Sequence, residues 1–114
     1  MSVEEIYANI GQSIKNAVQN DQCSYARLHI NIEGAGVVGY TGDYQIGEAT
    51  HDMSVRNMPR EIRTWLRDLH AITTEGGNNR WNQAVFTLAA DGKFDMKFIW
   101  NQALHDEIES LAKV

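Results

Sequence analysis

WNQAVFTLAADGKFDMKFIW, residues 81–100, reads as two strands joined by a tight turn. The fold depends on how they pair. With a two-residue loop at Asp91-Gly92, Leu88 faces Asp95 and Phe86 faces Lys97. A one-residue slip in pairing moves a strand's whole apolar set to the other face. With a loop of Ala90-Asp91-Gly92, and Gly92 left-handed in a bulge, Leu88 faces Phe94, Phe86 faces Met96, Ala84 faces Phe98 and Asn82 faces Trp100. Thr87 then meets Asp95, and Val85 meets Lys97, on the opposite face. Three-residue hairpins of this kind want glycine at the left-handed position. The second register gathers the apolar residues on one face and is the one expected. Phe94, if fully buried there, is worth ~3–5 kcal/mol on truncation to Ala.

The same alternation appears upstream. In Ala26–Glu33, Leu28, Ile30 and Ile32 point one way, and Arg27, His29, Asn31 and Glu33 the other, as in a half-buried strand. Gly34-Ala35-Gly36 turns the chain. Val37–Ile46 reads as a second strand, weakened by Gly39 and Gly42, and a third lies around Ala49–Val55. Helical spacing takes over elsewhere. Ser2-Val3-Glu4-Glu5 has the form of a capping box, and Ile6, Ile10, Ile14 and Ala17/Val18 follow at helical intervals over residues 2–19, up to a stop at Asn20-Asp21-Gln22. Asn57–Ile72 is a second helix with Pro59 in its first turn and Ile62, Trp65/Leu66 and Leu69 inside. Thr73–Arg80 is a polar loop with Gly76-Gly77. Asn101 can cap a last short helix with a stripe of Leu104, Ile108 and Leu111. The order α-β-β-(β)-α-β-β-α predicts a single α+β domain, 1–114. Its sheet is mainly antiparallel, of four to five strands, with helices packed on one face.

Composition agrees. A chain of 114 residues that is 43% hydrophobic supports one core. One cysteine, Cys23, excludes an internal disulfide and fits a reducing compartment. The start, MSVEEIYANI, has no basic residue and so lacks the form of a signal peptide, and no apolar run approaches the ~20 residues of a membrane span. A soluble cytoplasmic protein is expected, with no membrane partner. The net charge of −5 argues against direct contact with nucleic acid, which needs a basic footprint. Charge is also segregated. Leu28–Val55 holds no Lys or Arg but contains Glu33, Asp43, Glu48 and Asp52; Arg56, Arg60, Arg63 and Arg67 follow.

No motif carries chemistry. Gly34-Ala35-Gly36-Val37-Val38-Gly39 fits G-x-G-x-x-G, but the phosphate-binding version needs a helix to start there, and Val-Val-Gly-Tyr-Thr-Gly-Asp-Tyr is unsuited to one. The turn-and-bulge reading prevails. His29 and Glu33 share a strand face but start ~13 Å apart, too far for one metal to bridge easily. Cys23 has no activating neighbour in sequence, and His51-Asp52 and His105-Asp106 are isolated pairs. No catalytic residue, cofactor or metal ligand is assigned. Trp65 is expected in the core, and Trp81 or Trp100 partly exposed near the open end of the hairpin.

EEIYANIGQSI (residues 4–14), an alternating strand, an amphipathic helix and RWNQAVFTLAADGKFDMKFIW (residues 80–100) together resemble the YezG-like immunity proteins. The most specific part is W-N-x-x-x-F-T-L-x-x-D-G-K-F-x-x-x-F-x-W. The resemblance implies an immunity protein that neutralises a cognate polymorphic or contact-dependent toxin, often a nuclease, by binding its C-terminal domain. It implies no catalytic residues. An acidic protein also suits a basic toxin surface.

The toxin-binding residues expected on this reading are Glu33, Tyr40, Asp43, Tyr44, Glu48, Asp52, Glu75 and Trp81. They combine the acids and tyrosines of the stretch without cations with part of the 73–81 loop. The rival face is Arg60/Arg63/Arg67. A different class of function, a small-molecule-binding or enzymatic domain using the polar sheet face, stands beside the immunity reading, as does an adaptor subunit.

Overall fold

Strands β4 (Gln83–Ala89) and β5 (Phe94–Ile99) pair in the register that gathers the apolar residues: Leu88 opposite Phe94, Phe86 opposite Met96, Ala84 opposite Phe98. Thr87–Asp95 and Val85–Lys97 occupy the other face. The turn is the bulged one. The Ala89 amide donates to the Lys93 carbonyl at 2.8 Å, the Gly92 amide to the Ala89 carbonyl at 3.0 Å, and Gly92 has φ 89°. The ladder stops at Gln83–Ile99. Asn82 does not extend it opposite Trp100. Its side chain instead brackets Asn101, accepting from the Asn101 amide and donating to the Asn101 carbonyl, both at 2.8 Å.

The computed structural model describes residues 2–18, 22–33, 37–77 and 80–112. The other elements are α1 (Val3–Val18), β1 (Tyr25–Ile32), β2 (Val38–Ile46), β3 (Ala49–Met53), α2 (Glu61–Thr73) and α3 (Gln102–Ala112), with 3₁₀ turns at Val55–Asn57 and Glu75–Gly77. The strands form one antiparallel sheet in the order β3-β2-β1-β4-β5. The expected turn at Gly34-Ala35-Gly36, Gln19 at the end of the expected first helix, and Asn20 and Asp21 of its expected stop lie outside the described residues.

Alternation sorts the sheet into two faces. One carries Ala26, Leu28 and Ile30 of β1, Ala84, Phe86 and Leu88 of β4, and Met53 of β3, all buried. Against them pack Ile6, Ile10 and Ile14 of α1 and Ile62, Leu66 and Leu69 of α2, none more than 1% exposed. Fully burying such a side chain contributes roughly 1.5–3 kcal/mol. Gly42 lets Met53 close over β2, because a Cβ there would sit 2.9 Å from the Met53 sulfur and 3.2 Å from the Arg27 carbonyl. Trp65 is half-buried at the margin of this core.

Several sequence expectations move. The Glu5 amide does donate to Ser2 Oγ (3.2 Å), and the Ser2 hydroxyl lies 3.3 Å from the Glu5 carboxylate. α2 begins at Glu61, not Asn57, so Pro59 lies ahead of the helix. The proline ring disfavours helical backbone at the residue before it. Met58 is accordingly extended, at φ −79° and ψ 150°. Asn101 caps α3, its Oδ1 accepting the Leu104 amide at 3.0 Å, but Leu111 of the expected stripe is 69% exposed. Phe94 faces the core side yet stays 50% exposed, because β5 is an edge strand. Among the described residues no helix is long and apolar enough to cross a membrane.

Candidate functional site

The alternation that sends Leu28 and Ile30 inward turns Arg27 and His29 onto the other face of the sheet. Asp43 stands directly opposite Arg27 on β2. Its Oδ1 accepts from Arg27 Nε at 3.1 Å, and its Oδ2 lies 2.8 Å from His29 Nε2. Both carboxylate oxygens are therefore engaged, and the side chain is only 18% exposed. Arg27 also lies 5.2 Å above the Tyr25 ring. Burial pushes the Asp43 pKa up, but the hydrogen bonds and charges of His29 and Arg27 outweigh it and hold the carboxyl below its ordinary value.

That shift has a signed consequence. A carboxylate whose folded pKa is depressed adds stability above its unfolded pKa, ~3.9, and loses it as pH falls through the lower folded value. The native chain is expected to lose more stability between pH ~6 and pH ~3 than an Asp43→Asn variant does, in urea melts at both values. Equal losses would mean that the Arg27–Asp43–His29 cluster does not stabilise the fold.

Side-chain amides order the rest of this face. Gln83 Nε2 donates to Asn31 Oδ1 at 3.0 Å, and Asn101 Nδ2 donates to Gln83 Oε1 at 3.1 Å. Near the β2–β3 turn, the Thr50 hydroxyl donates to Gln45 Oε1 at 2.6 Å. These hydrogen bonds flank the Arg27–Asp43–His29 cluster on the same face. Thr41 stands opposite His29 in register. Cys23 directs its thiol to the Tyr25 carbonyl, at 3.1 Å. Among the described residues no group of three His, Cys, Asp or Glu side chains is placed to hold a metal ion.

The eight residues expected to meet a toxin do not form one surface. Asp43 and Asp52 are cross-strand partners on the open face. The Glu33 carboxylate lies over Gly39, next to that face. Tyr40 and Tyr44 fall on the helix side by alternation. Tyr40 lies 5.9 Å under the Arg63 guanidinium, and Tyr44 stacks on His51 at 5.3 Å. Glu48 is exposed in the β2–β3 turn. Glu75 is exposed beyond the C-terminus of α2. Trp81 is 1% exposed, with its indole N–H on Thr73 Oγ1 at 2.8 Å, so it offers nothing to a partner.

No protein-family model and no curated protein matches this chain. Function must be read from the surface itself.

A concavity, missed in the sequence, opens between the end of α2 and α3. It has a volume of about 380 Å³ and is lined by His70, Arg80, Trp81, Trp100, His105 and Glu109, among others. Arg80 lies 4.3 Å above the Trp100 ring, and the His105 ring is 5.1 Å from it. His70 Nε2 is 2.9 Å from the Trp81 carbonyl, which can only accept, so that nitrogen carries the proton. Trp81 and Trp100 bracketing the hairpin were the only sequence signal of this cleft. His70 and His105 join it through tertiary packing.

Proposed function

We propose that this chain is a non-enzymatic immunity protein that binds a cognate toxin domain, of the polymorphic or contact-dependent type, in the cytoplasm of the producing cell. The observation that carries this reading is the β2–β3 edge of the sheet. The Glu33 amide bonds the Val37 carbonyl at 2.9 Å, which sets the alternation of the β1–β2 ladder and, one strand on, that of β2–β3. Thr50 and Asp52 thereby turn their backbone groups outward along the free edge of β3. Ala49, Thr50, His51 and Asp52 are all exposed. An unprotected strand edge is a template for another chain. Here it is flanked by Glu48 and Asp52, and the carboxylate of Asp43 is already neutralised from within. The charge left for a partner is therefore negative, and it suits the basic surface of a nuclease. The resemblance to YezG-like immunity proteins supports the same reading.

The test is to co-express this chain with the C-terminal domain of any large secreted protein encoded by a neighbouring gene, followed by co-purification and a growth assay. Asp43 is a poor place to reverse charge, because its carboxylate is already engaged by Arg27 and His29 within the sheet. A Glu48→Lys/Asp52→Lys variant is expected to bind the toxin at least ~10-fold more weakly, and the deficit should grow at low salt. An Arg60→Glu/Arg63→Glu variant should bind like the native chain. The reverse pattern would place the interface on α2 and sink the edge reading. A second reading, binding of a small molecule, is favoured by one observation: the cleft lined by two histidines, two tryptophans and Arg80. Failure to co-purify with any neighbouring toxin, together with ligand-induced quenching of tryptophan fluorescence, would shift the assignment there.

A further inference from the structure

We infer that two copies of this chain associate edge to edge through β5, in one antiparallel register selected by charge. β5 is the other free edge of the sheet. The Ala89–Lys93 hydrogen bond, at 2.8 Å, fixes which backbone groups face β4. By the antiparallel alternation, Asp95, Lys97 and Ile99 bond inward, and Phe94, Met96 and Phe98 turn their N–H and C=O groups outward. A second copy can therefore add only in registers that set outward residues against outward residues.

Three such registers lie near the middle of the strand, and they differ in charge. One centres on Asp95 and opposes the two aspartates. One centres on Lys97 and opposes the two lysines. The third centres on Met96. It sets Asp95 of each copy against Lys97 of the other, twice, on the open face. It also sets Phe94 against Phe98 and Met96 against Met96 on the helix side. Like charges directly opposite destabilise a strand pair, and opposite charges stabilise it. The Asp95–Lys97 pairs fall at the positions without hydrogen bonds, where strands approach more closely, with Cα atoms ~4.5 Å rather than ~5.5 Å apart. Two observations point to use of this edge. Phe94 is 50% exposed although it stacks on Phe86 at 5.2 Å, and it is the apolar surface a second copy would cover. Asp95 and Lys97 are both exposed. A twofold arrangement closes at two copies, so it makes a dimer and not a fibre. The β3 edge carries Asp52 as its one charged residue and offers no such self-match.

The contact is smaller than a standard interface of ~1,600 Å², so the dimer should be weak and dependent on concentration. Sedimentation equilibrium of the purified full-length chain at low salt should show a monomer–dimer equilibrium. Asp95→Lys should raise the dissociation constant about tenfold or more, because each of two attractive pairs becomes repulsive. Lys97→Asp should do the same. The double variant Asp95→Lys/Lys97→Asp restores opposite charges and should return to within about threefold of the native value. The Met96 amide, which faces solvent in the monomer, should gain protection from hydrogen exchange as concentration rises. A native chain that stays monomeric at millimolar concentration would overturn the proposal. So would native-like dimerisation by both single variants, or failure of the double variant to recover while its thermal melt stays native. Dimerisation without protection at Met96 would place the contact elsewhere and overturn it equally.

Discussion

Trp81→Ala is expected to destabilise the protein by about 3–5 kcal/mol in denaturant unfolding, a large share of the ~5–15 kcal/mol available to a domain of this size. The indole is 1% exposed and touches two separate parts of the chain, α2 and β5. Its edge meets the His70 ring at 4.8 Å, its face tilts against Phe98 at 5.0 Å, and its N–H is held by Thr73 Oγ1 at 2.8 Å. Truncation leaves a cavity where α2, the entry to β4 and β5 converge. Trp81→Phe separates the two contributions. It keeps most of the ring and removes the hydrogen bond, at about 1–2 kcal/mol. A loss below about 1 kcal/mol for Trp81→Ala would mean that the residue is not core, and would restore it as a candidate surface contact.

The second large effect is at Phe86, which is 0% exposed at the middle of β4 and against α1. Phe86→Ala should cost about 3–5 kcal/mol, and Phe94→Ala only about 1–2 kcal/mol. Both residues lie on the same face, and they stack on each other with an interplanar angle of 11°. The difference comes from position in the sheet. Phe86 packs under α1 beside Gly11, whereas Phe94, one strand further out, meets α1 through Tyr7, whose ring is 5.2 Å away. The double variant should show a coupling of about 0.5–1.5 kcal/mol from the stacked pair. The melts belong at dilute concentration, so that any association through β5 does not mask the loss. Equal losses for the two single variants would mean that Phe94 is covered in solution.

Much of this was legible in the sequence. Period-two alternation in Ala26–Ile32 and across residues 82–99 fixed which residues face the helices. Both candidate turns accept a left-handed Gly92, so the gathering of apolar side chains on one face is what separates the two registers. The misreadings have physical causes. The entry to α2 lies later than the sequence suggests because a proline is tolerated in a first helical turn, whereas here its ring keeps Met58 extended and the helix starts beyond it. Of the two tryptophans at the open end of the hairpin, Trp100 is the exposed one, at 37%; Trp81, expected as a toxin contact, is buried, because the alternation does not extend to it and Trp81 and Asn82 are adjacent and both buried. His70 and Thr73 of α2 and Phe98 of β5 pack against Trp81, and nothing local to residues 80–83 announces the α2 contacts. Asp43 stands in the sequence among the acids expected to meet a partner. Its partners Arg27 and His29 are more than a dozen positions away, and only the β1–β2 register brings them together. Reading the Gly34-Ala35-Gly36 turn as the centre of a hairpin would have placed Asp43 opposite Arg27.

The strand order has a kinetic meaning. Every pairing in the sheet joins neighbours in sequence except one, β1 with β4, which have about fifty residues between them. The sheet is thus two locally closed pieces, the β1–β2–β3 meander and the β4–β5 hairpin, zipped along a single seam. Hairpins close in about 1–10 μs, while a distant seam must first offset the entropy of a long loop. The seam is where folding waits. Phe86 stands opposite Leu28 across it, so the substitution that weakens the native state should also slow refolding. Phe94 lies one strand beyond, and its loss should show chiefly as faster unfolding. In hydrogen exchange the amides shared by β1 and β4 should open last, at the global free energy, with the two outer edges fraying independently on either side.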